Sequence, residues 1–296
     1  MAFVARVIAL TTIRWFLLVL PFAAMGAGAL WWLAPPAAEP PAAGETAPRD
    51  VVSAPMAQTA EPIPTVAAPR ADVDYDRCLA LAMLAPREAL VEARRWSAEG
   101  GGDAARHCEA VALIEAGETE AAAEILEALG AHATAPADAR AALLAQATRL
   151  WLALDRPDRA QVAATRGLAA RPDDPDLLTD RAIAAAALGR FSEAIEDLSR
   201  LIAREPDRSE ALILRASAWR QAGDATRAAA DLTRVLLREP ENAQALLERA
   251  LLSRDRGDLA AARRDLERVL ALASDQTVAG FARDHLAALE AEAGRR

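Results

Sequence analysis

The sequence predicts an all-α fold, a solenoid of stacked helical hairpins, on three observations. Between Ala141 and Ser274 it repeats every 34 residues: Gly189, Gly223 and Gly257 fall at that interval, as do Arg181-Ala182, Arg215-Ala216 and Arg249-Ala250, Ala194/Ala228/Ala262, Asp197/Asp231/Asp265 and Leu198/Leu232/Leu266. A fixed period in this range is the signature of a solenoid. Within one period Leu178, Ile183, Ala186 and Ala187 come at helical spacing, Gly189-Arg190 interrupts, and Phe191, Ile195, Leu198 and Ile202 resume. That is two helices and a tight turn. The chain is 53% apolar but only 4% aromatic, so packing must come from close helix approach through small side chains, which suits helices better than a sheet. One hairpin cannot bury its own face; stability comes from stacking.

In chain order, residues 1–34 come first. Arg6 and Arg14 precede an uncharged run from Trp15 to Ala34 with Trp15 and Trp31-Trp32 at its ends. Its twenty or so residues suffice to cross a bilayer as a helix, and the arginines keep the N-terminus cytoplasmic. Pro21 kinks such a span without forbidding it. The rival is a signal peptide cleaved near Ala27-Gly28-Ala29, against which the apolar run continues through Leu30 to Leu33. Either reading exports the rest. Residues 35–72 are rich in proline and alanine without apolar period, a disordered spacer that is in part polyproline II, or else a proline-rich ligand for a partner. From Val73 helical spacing returns, and residues 73–136 read as two divergent hairpins: Asp76–Leu84 with Pro86–Ala98, then a helix N-capped by Asp103 and running to Glu115, with Gly117 turning into Glu118–Leu129.

The regular array occupies 141–274, with units near 141–174, 175–208, 209–242 and 243–276. In the last three the glycine takes the left-handed conformation that ends the first helix, and in the first three Pro172, Pro206 or Pro240 ends the second. Ala182 and Ala194 are small where the two helices approach, while Leu178, Leu198 and Leu201 offer area to the next pair. The first unit is degenerate, keeping Trp151, Ala160 and Pro172 but carrying Thr148 at the small position and Asp155-Arg156-Pro157 at the turn. Residues 277–296 form a terminal capping helix with Phe281, Leu286 and Leu289 toward the last repeat.

These residues resemble the tetratricopeptide repeat family. Small residues stand at the eighth and twentieth places of the units starting near Pro175, Ser209 and Ala243, glycine at the fifteenth and a large apolar residue at the twenty-fourth; Ser274 replaces the last proline. Arginine at the seventh place with aspartate at the twenty-third is similar to a common subtype, and the pairs Arg181/Asp197, Arg215/Asp231 and Arg249/Asp265 are expected to lock helices together rather than to meet a ligand. The resemblance implies a right-handed superhelix whose first helices line a concave groove. Carried over place by place, it puts Arg149, Leu152, Thr179, Ile183, Ile213, Ser217, Arg220, Gln221, Leu247, Leu251, Arg254 and Asp255 in that groove. Arginines among apolar residues suit a segment carrying carboxylates; otherwise they are ordinary solvated side chains. The set does not match the lysine- and asparagine-based clamp of some relatives. Cys78 and Cys108 fall on what the family would make neighbouring first helices. In an exported chain they read as a disulfide, worth roughly 3–4 kcal/mol in the chain-entropy model, and otherwise as two buried thiols.

All 34 basic residues are arginine, the mark of a high-GC, bacterial coding bias, and the net charge of -9 argues against nucleic-acid binding. His107 beside Cys108 points about 100° away on a helix and has no further cysteine at metal-ligand spacing. Gly100-Gly101-Gly102 lacks the lysine of a phosphate loop. No serine, histidine and carboxylate set stands out. Catalytic residues, metal, cofactor and small-molecule substrate are therefore all expected to be absent. The expectation is a non-enzymatic scaffold on the outer side of the bacterial inner membrane, or free in the periplasm after signal cleavage, holding a protein or peptide. An assembly co-chaperone or a subunit of an envelope complex is the alternative, and an enzyme a more distant one.

Overall fold

The computed structural model describes residues 71–132, 135–272 and 276–293. The span assigned to 1–34 lies outside them, as does the spacer assigned to 35–72 except for its last two residues, which already belong to a helix. Among the described residues there are thirteen helices and no strand: α1 (Ala71–Leu84), α2 (Pro86–Ala98), α3 (Gly102–Glu115), α4 (Thr119–Gly130), α5 (Ala137–Ala153), α6 (Pro157–Ala170), α7 (Pro175–Ala187), α8 (Phe191–Arg204), α9 (Ser209–Gln221), α10 (Ala225–Arg238), α11 (Ala243–Asp255), α12 (Leu259–Leu272) and α13 (Gln276–Ala293). None is long and apolar enough to cross a membrane.

Local chemistry sets the helix ends. Asp174 accepts hydrogen bonds from the backbone N–H groups of Asp176 and Leu177, with Pro175 opening α7. Asp224 caps α10 and Asn242 caps α11 in the same way. The turns after α7, α9 and α11 pass through Gly189, Gly223 and Gly257 at φ 75°, 87° and 80°, a region that costs an L-residue roughly 1–2 kcal/mol. One period earlier Asp155 makes the same turn at φ 58°, so the degenerate unit turns like the others with a short polar residue in place of glycine. Its first helix also starts earlier than expected, at Ala137.

Asp103 does not cap α3. That helix begins at Gly102, with Gly101 at its cap and no side-chain capping bond. Gly102 opens the helix at φ 56°, a left-handed backbone suited to glycine, and the Asp103 carboxylate sits inside the first turn, where it meets His132 Nδ1 at 3.2 Å.

Successive hairpins stack, and their first helices also touch, α5 on α7, α7 on α9, α9 on α11 and α11 on α13. Leu178, Leu198, Leu201, Leu212, Leu232 and Leu266 are buried in one apolar core running from α5 to α13. Ala182 and Ala194 are fully buried at the helix contact. On α13, Val278, Ala282 and Leu289 are buried and Leu286 packs against the core, so the docked face takes in Val278 and Ala282 beside Leu286 and Leu289, while Phe281 is partly buried.

Two periodic ion-pair systems reinforce the stack. Arg181 Nε and Nη2 donate to both oxygens of Asp197 at 2.8 and 2.6 Å. Arg215–Asp231 and Arg249–Asp265 repeat this fork at 2.8 Å. Arg215 Nη1 also donates to Ser199 of the preceding hairpin at 3.0 Å. These arginines lock helix to helix and hairpin to hairpin. The second system clamps inter-repeat turns to the following second helix: Asp173 pairs with Arg200 and Arg204, Asp207 with Arg234 and Arg238, and Glu241 with Arg268.

Candidate partner-binding face

The twelve residues expected to line a groove all lie on first helices: Arg149 and Leu152 on α5, Thr179 and Ile183 on α7, Ile213, Ser217, Arg220 and Gln221 on α9, Leu247, Leu251, Arg254 and Asp255 on α11. They do not form an open apolar strip. Thr179, Ile183, Ile213, Ser217 and Leu251 are buried, a correction with a simple cause: adjacent first helices touch, and side chains at the fifth and ninth places fill the seam between them. Thr179 Oγ1 is turned onto its own helix, donating to the Pro175 carbonyl at 2.8 Å. Leu152, Gln221 and Leu247 stay partly open and Asp255 is exposed.

The arginines are neither aimed outward at a carboxylate-bearing ligand nor loosely solvated; each is taken by an acid of the chain itself. Arg149 Nη1 lies 3.8 Å from Asp180 Oδ2 on α7. Arg220 reaches α11, where Nε donates to Glu248 at 3.4 Å and Nη1 to Asp255 at 2.9 Å. Arg254 Nη2 donates to Asp255 Oδ1 at 3.2 Å, and its Nη1 stands 3.2 Å from His285 Nδ1 on α13. Arg208, at the start of α9, approaches Asp176, Glu205 and Glu210. Neighbouring first helices are thus stitched by charge along one side.

Two buried acids anchor this stitching, and burial disfavours their ionised forms. Desolvation pushes Asp180 up to about 7, with Arg149 opposing and the carboxylates of Asp176, Glu210 and Asp174 adding to the rise. Its Oδ2 is shut off from solvent without a hydrogen bond. Desolvation raises Glu248 as well, against the pull of Arg220. His285 is held below the usual imidazole range by burial and by Arg254. A guanidinium can only donate, so Nδ1 of His285 must carry a lone pair and the ring is neutral. At the other end Tyr75 Oη lies 2.7 Å from His107 Nδ1, and burial pushes the tyrosine hydroxyl up to about 12. The Cys78 and Cys108 sulfurs are bonded across α1 and α3, with Cα atoms 6.2 Å apart.

Asp180, Glu248 and His285 were not singled out from the sequence. A signal was present: Arg149 precedes Asp180 by 31 residues, Arg254 precedes His285 by 31, and Arg220 precedes Glu248 by 28 and Asp255 by 35. Each separation is close to one period, so an acid or a histidine about a repeat beyond an arginine marks a cross-hairpin pair. Among the described residues no group of three or more His, Cys, Asp or Glu is placed to hold a metal ion.

No curated protein matches the chain. Among solved structures, a double mutant of MamA aligns at 16% identity over 55% of this chain and 89% of its own, with a TM-score of 0.48. YrrB, described as a TPR protein with an unusual peptide-binding site, aligns at 16% identity over 61% and 91%, TM-score 0.46. A crystal structure of MamA aligns at 13% over 55% and 92%, TM-score 0.47. The sequence model of the tetratricopeptide repeat matches three overlapping segments, residues 144–207, 179–231 and 220–277. Period, hairpins and the tetratricopeptide repeat model coincide over residues 144–277.

Proposed function

We propose that the chain is a non-enzymatic interaction scaffold that holds a protein or peptide segment along the side formed by its first helices. The observation that carries this reading is the alignment of α5, α7, α9 and α11 in one stack, with Leu152, Gln221, Leu247 and Asp255 accessible beside self-paired arginines. A partner on such a face meets charge that is already balanced. It binds by apolar contact and by sharing the exposed acceptor Asp255, rather than by supplying carboxylates to unpaired guanidiniums. The uncharged run from Trp15 to Ala34 and the proline-rich stretch after it support a tether to the outer side of a bacterial inner membrane. The Cys78–Cys108 pair suits an oxidising compartment.

Photocrosslinkers placed at Gln221, Leu247 and, as an outer-face control, Glu196 test the face in cells. The reading expects one or a few proteins captured from the first two positions and none from the third. Equal labelling at all three would refute it, and a long roster of unrelated captured proteins would instead indicate a co-chaperone.

A further inference from the structure

We propose that α1 is held on the array by a redox latch: with the Cys78–Cys108 disulfide closed α1 stays docked on α3, and its reduction by a dithiol undocks α1 while the later hairpins remain stacked. The bond joins the two helices across 30 residues of sequence. What else holds α1 is slight. It packs on α2 and α3, and Cys78 and Ala82 are its buried apolar residues, while Met83 is 49% and Leu84 85% exposed. The clusters at this end consist of Cys78, Ala93 and Cys108, and of Ala82, Ala89 and Ala112, with partly buried neighbours. From α5 onward the alanines of the core are joined by twelve buried leucines together with isoleucines and valines. Stabilisation by burial scales with apolar area, and regions with little of it open first. The polar contacts add little: the Tyr75–His107 hydrogen bond and the pairing of Arg77, itself 62% exposed, with Glu92.

Both cysteines are buried, so a reductant reaches them through an opening of α1 itself. A thiolate of the dithiol attacks one sulfur and the other cysteine leaves as thiolate. The second thiol then resolves the mixed disulfide, so that Cys78 and Cys108 end as two thiols and the dithiol as its own disulfide. Two electrons and two protons pass to the chain. Where residues 1–70 act as the tether proposed above, undocking adds the 14 residues of α1 to it, roughly 45 Å of extra reach when extended. This consequence rests on that reading; the undocking does not.

The test is hydrogen exchange read peptide by peptide on the full chain in detergent, untreated, with dithiothreitol, and as the C78S/C108S variant. The latch expects no reactive thiol in the untreated chain. Reduction or substitution should speed amide exchange in α1 at least about tenfold, while α5 to α12 exchange as before. Unchanged protection in α1 after reduction would show that packing alone holds it and overturn the proposal. So would loss of protection through the whole array, or thiols that react before any reductant is added. A reporter fused after Arg296 reads the tether separately; an inactive reporter removes the tether and leaves the latch standing.

Discussion

At Asp180 burial and ionisation are opposed, because its side chain is 13% exposed and its nearest counter-charge, Arg149, stays at 3.8 Å. With the folded carboxyl at about 7 against 3.8 for the ordinary group, the folded state keeps a proton that the unfolded chain gives up. Stability is therefore lost as pH rises from about 4 through about 7. Asp180→Asn, which cannot ionise, should be more stable than the parent by on the order of 1–2 kcal/mol at about pH 8 and nearly equal to it at about pH 4. Urea unfolding at the two pH values reads this, and an equal gap at both would contradict it. His285 runs the other way. Its lowered pKa contributes stability that is present above about 6.5 and lost as pH falls through the folded value. His285→Gln, whose side-chain oxygen can still accept from Arg254, should flatten the acid dependence of exchange in α13; a profile as steep as the parent's would rule the tautomer argument out. Such residues were hard to read in advance because a groove position assigned by place number says where a side chain starts. It does not say which acid one repeat away will take it. Arg220 was legible as a first-helix residue, but its pairing with buried Glu248 was not.

Elements were read best where a period enforced them. α7, α9 and α11 start at Pro175, Ser209 and Ala243, the unit starts named from the sequence, because the turn glycines and the alanines of close approach are geometric requirements that recur. Termini without that constraint slipped, as at Asp103, where flexible glycines rather than the capping side chain decide where α3 begins. The repeated Arg–Asp fork gives a graded test, since its three copies differ in burial. The side chains of Arg215 and Asp231 are 19% and 10% exposed, whereas Arg249 is 44% exposed. Arg215→Ala leaves a buried carboxylate uncompensated and should cost about 3 kcal/mol, while Arg249→Ala should cost about 1 kcal/mol or less. Equal costs by chemical denaturation would mean that the fork acts through packing and not charge. At the turn after α5, Asp155→Gly should stabilise by about 0.5–1 kcal/mol, as glycine relieves the left-handed backbone. A loss there would mean that the Asp155 side chain contributes a bond of its own.

For the whole stack, stability is a sum of hairpin terms and nearest-neighbour contacts, so a defect should spread only as far as the contacts it removes. α13 covers the last hairpin, burying Val278, Ala282 and Leu289 on it and holding α11 through His285 and Arg254. A chain ending after Leu272 would uncover the face of α12 that includes Leu266 and Val269, now buried, and remove the partner of Arg254. In that shortened chain α11 and α12 should exchange their amides much faster, α9 and α10 somewhat faster, and α5 to α8 as in the parent, a gradient that hydrogen exchange resolves helix by helix. The continuous apolar core from α5 to α13 argues for transmission, and the local character of the ion-pair clamps, each tying a turn to the second helix that follows it, argues for decay. Uniform loss across the array would mean that the core wins and the repeats melt as one unit. A change confined to α12 would mean that each hairpin is stable without its successor, and the stacking on which the partner-binding face depends would then be weaker than the buried leucines imply.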